Sequence, residues 1–355
     1  MLDYKKIFSF NPFSMAQSIK KEWYFKNIKT LTMHHYNHCK EFRKISDTLF
    51  KKIRSSKSSS ELPFIHSKIF KQYNLKSTAK NNLTNILTSS GTTGIKKSQI
   101  NLDFKTSIIQ SRALTLIYQD IIKDRDTCIF FIDSPNVTKG VLGMSARGAA
   151  IKGFGQLIKK KYFLLDSKYN LKIKTLLNFI KKNPKKKFII FGFTSFVWDY
   201  FLKILKKKKI KIPKNDGLII HGGGWKKMTD KSINKERFNI KIFELTNIKK
   251  VHNYYGMVEQ TGSIFIECEH GFFHSSIFSE IYIRDNNLNL ADFNKHGIIQ
   301  TLSLLPTSYP GHNILTEDIG KIEGYDNCKC GRRGKFFSIK GRVQGTELRG
   351  CSDVY

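Results

Sequence analysis

Between residues 82 and 254 short apolar runs alternate with stretches of helical period, and this alternation restricts the fold more than any single motif. The runs lie at 86–87, 127–132, 162–165, 188–191, 217–220 and 250–254, with helical patterns in spans such as 106–122 and 172–182. Apolar runs this short read as strands, and strands separated by helices build a layered α/β architecture. Past Gly262 the pattern changes to short β runs with turns, over 263–300 and again over 320–343. Upstream, Trp23, Phe25, Ile28 and Leu31, then Tyr36, Phe42, Ile45, Leu49 and Phe50 recur at helical spacing. Two helices are expected over 17–52, then a polar loop at 54–61 and a return to packed structure at Leu62-Pro63-Phe64-Ile65. The expected organisation is an N-terminal helical segment over 1–80 and one α/β core over 81–355 with a β-rich C-terminal part.

The chain has 355 residues, 40% hydrophobic and 13% aromatic, enough for a large core and too much for disorder. Its formal net charge is +34, from 62 basic and 28 acidic residues. Such an excess can serve a nucleic-acid or membrane-surface partner. Lysine far outnumbers arginine, however, and Lys, Asn, Ile and Phe are abundant along the whole length, as in a compositionally biased genome. Sequence-specific readers rely on the bidentate fork of Arg, so nucleic acid is not expected as a partner. The lysine blocks 159–161, 185–187 and 206–209 read as solvated faces. No apolar run reaches the roughly 18 residues needed to span a bilayer, and the N-terminus lacks a signal-peptide pattern. A cytoplasmic protein without a transmembrane segment is the expectation. The six cysteines, Cys39, Cys128, Cys268, Cys328, Cys330 and Cys351, are then expected to bind metal or react rather than form disulfides.

Hydroxyls, glycines and two lysines gather in one stretch: Ser89, Ser90, Gly91, Thr92, Thr93, Gly94, Lys96 and Lys97. The glycines let the backbone turn tightly and present its N–H groups, the hydroxyls add donors, and the lysines add charge. That is a phosphate cradle. Its spacing is neither that of a Walker loop nor that of a dinucleotide fingerprint. A flexible linker is the alternative, against which the apolar run 83–87 argues for a strand entering a turn.

Three later stretches extend the theme. His221 is followed by Gly222, Gly223, Gly224, Trp225 and Lys226 directly after an apolar run, and a strand ending in glycines lets a flat ring lie against its backbone. Tyr254, Tyr255, Gly256, Met257, Val258 and Glu259 offer rings, a turn glycine and a carboxylate. Thr316-Glu317-Asp318 is read as an acidic pair in a turn, where a carboxylate can accept from a ribose, and Gly341-Arg342 adds a cation. Each is weak alone; their order is informative.

In that order the chain resembles the adenylate-forming superfamily of acyl-CoA synthetases, luciferases and related ligases. The resemblance implies ATP and Mg²⁺ as cofactors. It assigns the triphosphate to Ser89–Lys97, the adenine to Gly222, Gly223 and Gly224, and nucleotide and Mg²⁺ contacts to Tyr254, Tyr255, Gly256, Met257 and Glu259. Asp318 takes the ribose, and Gly341-Arg342 precedes the superfamily's hinge. One departure is Ile95-Lys96-Lys97, where the superfamily often has Pro-Lys. The closer resemblance is to the acyl-protein synthetases of the LuxE type. It rests on the histidine-rich stretch His34, His35, Asn37, His38 and Cys39, on 62–65, and on the runs HGGGWK at His221, YYGMVEQTGSIF at Tyr254, LPTSYPGHNILTED at Leu305 and GRVQGTELRGCSD at Gly341. The sequence reaches Tyr355 just beyond Arg342, so the expectation is the large α/β domain of an adenylate-forming enzyme without the small C-terminal domain. Which cation then contacts the acyl carboxylate stays open.

The implied function is ATP-dependent activation of a fatty or other carboxylic acid as an acyl-adenylate, followed by transfer to a thiol and on to a partner, such as an acyl reductase or another acyl-acceptor protein. Glu259, Lys97 and Arg342 are the candidate groups for adenylation, and Cys351 is the acyl acceptor by resemblance. Arg349 beside it can lower its pKa. Alternatives are release of the acyl group to coenzyme A, as in phenylacetate-type ligases, and a nucleotide-binding scaffold without turnover.

Cys268, His274, Cys328 and Cys330 form a second constellation, with Gly271 and Gly331 beside them. Three thiolates and an imidazole suit tetrahedral, structural zinc. His270 competes with His274, which matches the spacing of related phenylacetate-type ligases. Buried or free thiols remain the alternative. His34, His35, Cys39 and Cys128 are read as packing residues, and His221, Ser145 and Arg147 as pocket candidates.

Overall fold

Runs that are apolar at every position must be covered on both faces, which is the condition of a parallel sheet. Phe188–Phe193 and Cys128–Phe131 are such runs, buried at every residue. In the computed structural model they pair in parallel at the centre of a sheet ordered Lys250–Tyr255, Gly217–Gly222, Phe188–Phe193, Cys128–Phe131, Lys160–Phe163. The edge strand Lys160–Phe163 begins with two exposed lysines, which discourages pairing with another chain. Helix Ile173–Lys182 buries Ile173, Leu176 and Ile180 in the same core as Phe130, Ile190 and Ile219.

The structure describes residues 2–50, 53–88, 98–122, 127–138, 144–156, 158–224 and 233–343. The Ser89–Lys97 loop, Trp225 and Cys351 therefore lie outside the described residues. Two compact units are formed. One holds the described residues of Met1–Thr88, Lys96–Asp120 and Gly256–Glu347, and the other those of Ile121–Tyr255, which carry the parallel sheet.

The first unit is built on an antiparallel sheet ordered Phe273–His274, Lys335–Arg342, Asn313–Tyr325, Gly297–Ser303, Ser279–Arg284. The expected N-terminal helices are Gln17–His38 and Lys40–Leu49, separated by Cys39 in an extended conformation. Contacts run across residue 80: Ile65 pairs in parallel with Ile314, and the Ser77 N–H donates to the Ser308 carbonyl at 2.7 Å. Leu83–Thr88 and Gln99–Asp103 are antiparallel, with Thr88 opposite Gln99. A hairpin thus brackets the candidate phosphate loop. Helix Phe104–Ile121 follows.

One expected turn is a strand. Thr316-Glu317-Asp318 lies inside the 13-residue strand Asn313–Tyr325. Gly320, just beyond it, does not break the strand: its missing Cβ leaves room for the Ser338 carbonyl of the neighbouring strand, at a register shift. Glycine in a strand marks close backbone approach as readily as a turn. Among the described residues no helix is long and apolar enough to cross a membrane.

A Cβ on Gly222 would intrude on the Tyr254 ring, which covers that backbone. Gly222→Ala is expected to cost about 1–3 kcal/mol by overpacking. In urea unfolding, Gly222→Ala combined with Tyr254→Ala should lose less than the sum of the two single changes.

Candidate active site and a cysteine-histidine cluster

Glu259 sits in the short helical turn Val258–Gln260 and is buried. The Gln260 amide anchors this turn by donating to the carbonyls of Thr301 (3.0 Å) and Gly311 (2.9 Å). Gly311 has to be glycine, because a Cβ there would collide with the Glu259 carbonyl and the Tyr309 ring. Burial raises the Glu259 carboxyl above its usual range; hydrogen bonds from its own backbone and from Ser98 pull it back, and the neighbouring Glu317 pushes it up again. A buried carboxylate with another beside it is a place where a cation lowers the energy.

Asp318 and Arg342 stand opposite one another on neighbouring strands. Arg342 Nη2 lies 2.6 Å from Glu317 Oε2 and Nε lies 3.4 Å from Asp318 Oδ1. Lys68 Nζ reaches the other Glu317 oxygen at 2.8 Å. Glu317 is buried, so it acts as the fixed anion between two cations. The sequence reading assigned Asp318 and Arg342 but gave no role to Glu317 or Lys68. Adjacency to Asp318 was a signal for Glu317; nothing local marks Lys68.

In the parallel-sheet unit, Gly222 closes the Gly217–Gly222 strand. Gly223 follows at φ 87°, a left-handed conformation that favours glycine. Thr194 Oγ1 lies 2.9 Å from His221 Nδ1, 3.1 Å from the Gly222 carbonyl and 3.2 Å from that of Gly223. The flat ring against the glycine run is the protein's own: Tyr254 covers Gly222 and stacks on Phe191 at 5.8 Å. Gly224 is exposed and Tyr255 half-buried. Met257 is also half-buried, and Gly256 packs against Ile264 in the antiparallel-sheet unit.

The pocket candidates Ser145 and Arg147 have defined local roles. Ser145 caps helix Ala146–Gly155 by accepting from the Gly148 N–H. Arg147 pairs with buried Asp133 at 3.1 Å, donates to the Tyr169 hydroxyl and lies over the Phe196 ring. Burial lifts Asp133 to about 6 despite that arginine.

The four residues of the second constellation converge. The ligand atoms of Cys268, His274, Cys328 and Cys330 all lie within 4.8 Å of one another. Cys268 and Cys328 sulfurs are 3.9 Å apart, and Cys330 Sγ is 3.4 Å from His274 Nε2. A tetrahedral zinc site with bonds of about 2.3 Å places its sulfurs about 3.8 Å apart. The two halves share one local design: Gly271 and Gly331, both left-handed, donate their N–H groups to the carbonyls of Cys268 and Cys328. His270 is exposed, whereas His274 is fully buried with its ring stacked on Phe336. Without a cation, burial and the neighbouring sulfurs push the Cys330 thiol up to about 12.

A model of the acyl-protein synthetase family, LuxE, matches residues 3–355. The chain belongs to that family. A relative, the long-chain-fatty-acid–luciferin-component ligase of Aliivibrio fischeri, is 25% identical over 334 residues, covering 89% of this chain and 84% of the relative. Among solved structures, an open conformation of 2-hydroxyisobutyryl-CoA ligase with 2-HIB-AMP and CoA superposes with a TM-score of 0.72 at 12% identity, covering 95% of this chain and 78% of that one. The same enzyme in its postadenylation state with 2-HIB-AMP gives 0.72, covering 93% and 69%. The layered α/β fold expected from the sequence is thus the fold of an adenylate-forming ligase.

Burial, with Lys235 and His252 adding to it, holds His221 down to about 3. Its folded-state value is below that of the unfolded chain, so its stabilising effect is complete above about pH 6.5 and is lost as pH falls toward 3. Between pH 7.5 and pH 5 it should account for about 2 kcal/mol of lost stability. Urea unfolding of His221→Gln at the two pH values should show a smaller loss than the parent by that amount.

Proposed function

We propose that this family member activates a long-chain fatty or related carboxylic acid with ATP and passes the acyl group to Cys351 and then to an acyl-acceptor protein. The observation that carries the reading is the full-length family match. The acidic cluster of the antiparallel-sheet unit, with its paired arginine, supports it.

A carboxylate is a poor electrophile. Attack of its oxygen on the α-phosphate releases pyrophosphate and gives a mixed anhydride whose AMP is a good leaving group. Ser89, Ser90, Gly91, Thr92, Thr93, Gly94, Lys96 and Lys97 cradle the departing phosphates, with Lys97 offsetting the charge that develops. Asp318 accepts from the ribose, while Gly222, Gly223, Gly224, Tyr254, Tyr255, Gly256 and Met257 serve the base and its surroundings. Arg342 is oriented for the nucleotide by Glu317. Mg²⁺, where bound, neutralises phosphate charge, and Glu259 is the residue we assign to hold it. The Cys351 thiolate then attacks the acyl carbon, forms a thioester and releases AMP. The name of the Aliivibrio relative suggests a luciferin component, such as an acyl reductase, as the final acceptor.

Structural zinc is assigned to Cys268, His274, Cys328 and Cys330, because three clustered thiols ionise together only beside a cation. It would staple the start of the Lys335–Arg342 strand, which carries Arg342 at its far end.

Three outcomes follow. Cys351→Ser should keep acid-dependent pyrophosphate release and lose covalent labelling by radioactive acid; full labelling of the variant would remove Cys351 from the reaction, and acyl-CoA formed on adding coenzyme A would redirect the product. Glu259→Gln should lower ATP–pyrophosphate exchange by about 100-fold or more, the scale of a lost charge-stabilising group. Protein purified without chelator should contain one zinc per chain and lose thermal stability in EDTA; zinc-free protein of equal melting temperature would refute the metal site.

A further inference from the structure

The histidine-rich stretch His34–Cys39 and the stretch Leu305–Asn313 have no part in the chemistry proposed above. They meet in the structure. Residues 304–313 are buried throughout, so their peptide groups cannot turn to water and must find protein partners. Two of those partners are imidazoles on helix Gln17–His38. His35 Nε2 lies 3.1 Å from the Pro306 carbonyl and His34 Nε2 lies 3.0 Å from the Thr307 carbonyl. A carbonyl only accepts, so both Nε2 atoms carry the proton. The other His35 nitrogen then accepts from the Ser77 hydroxyl at 2.8 Å. Burial holds the His35 ring far below its usual pKa, so this neutral form, with one proton on Nε2, is the one in use.

The held segment leads to the assigned chemistry in two directions. Gly311 lies against the Glu259 carbonyl and accepts from Gln260, the residue that anchors the Glu259 turn. Beyond it the chain runs directly into strand Asn313–Tyr325, which carries Asp318. His312, between the two, is fully buried and stacks on His35 at 4.6 Å. The segment also grips the exit of the candidate phosphate loop, because the Ser308 hydroxyl donates to the Asn101 carbonyl at 2.8 Å.

We propose that His34 and His35 are positioning residues for adenylation: their imidazole N–H groups fix the Pro306–Thr307 backbone, and that backbone fixes Glu259 and Asp318. The proposal rests on the assignment of Glu259 and Asp318 to the nucleotide. Neither histidine need touch a reacting atom.

The shapes of Asn and Gln separate this role from simple packing. A Gln side chain places its amide nitrogen where the His35 Nε2 stands, whereas Asn reaches only as far as Nδ1. Both lose the aromatic stack with His312, but Asn also loses volume at this buried position; His35→Met, which keeps the volume of Gln without an N–H, is therefore the packing control and should behave as His35→Asn does. In ATP–pyrophosphate exchange, His35→Asn should raise KM for ATP by about 5–10-fold with kcat less affected, the factor expected of one lost hydrogen bond. His35→Gln should return KM to within about twofold of the parent. A KM unchanged in His35→Asn, raised equally in the Asn and Gln variants, or returned by Met as by Gln, overturns the proposal. His34→Asn and His34→Gln, at a half-buried ring, give the same comparison should the His35 variants fail to fold. Glu259→Gln in the same assay keeps the two readings apart: undiminished exchange counts against the nucleotide assignment, while the Asn-against-Gln difference still reports on the histidines.

Discussion

Peptide groups sealed from water have to be satisfied by protein, and in the antiparallel-sheet unit this constraint gathers distant parts of the chain around residues 304–313. Partners come from helix Gln17–His38, from Ser77, from strand Gln99–Asp103 and from the Gln260 turn. Thr106 adds a hydroxyl contact to Thr307. Apart from Thr106, which follows the Gln99–Asp103 strand closely, none of these is near the others in sequence. The carboxylates assigned to nucleotide chemistry lie on the chain immediately beside this segment or packed against it, so their placement is inherited from a backbone that has little freedom to move.

Charge obeys the same rule at higher stakes. Glu280 is buried between Lys20 and Lys335, at 3.7 and 3.3 Å, and the Gln17 side chain and Ile281 N–H complete its shell. Burial lowers Lys20 to about 8, with Glu280 resisting that shift. Removing one member would strand the others in low dielectric. Glu317 between Lys68 and Arg342 repeats the arrangement nearer the assigned site. The cysteine–histidine cluster differs, because its three thiols and imidazole supply no cation of their own; the zinc proposed above would be that cation.

Much of this was legible in one dimension. Strands 128–131, 188–193 and 217–222 were visible because burial on both faces demands uninterrupted apolar residues, and the N-terminal helices because a packed face repeats at helical period. Cys268, His274, Cys328 and Cys330 were legible as a set because few other chemistries need that combination. The acidic pair at Glu317-Asp318 was misread as a turn; Gly320, just beyond it, looks alike in a turn and in a strand pressed against its neighbour. Lys68 carried no local signal. His34 and His35 were read as packing residues, and His35 is indeed buried while His34 is half-buried, but their hydrogen bonds depend on which backbone they happen to meet.

The sequence by itself determined the layered α/β class, the family and the inventory of chemical groups, because periodicity and motif order are properties of neighbours along the chain. Only the tertiary structure decided that Tyr254 covers Gly222, that Glu317 holds Arg342 and Lys68, and that two histidines near residue 35 grip carbonyls near residue 306. Those pairings depend on side chains brought within a few ångströms by sheet register and helix packing, and separation along the chain carries no trace of them.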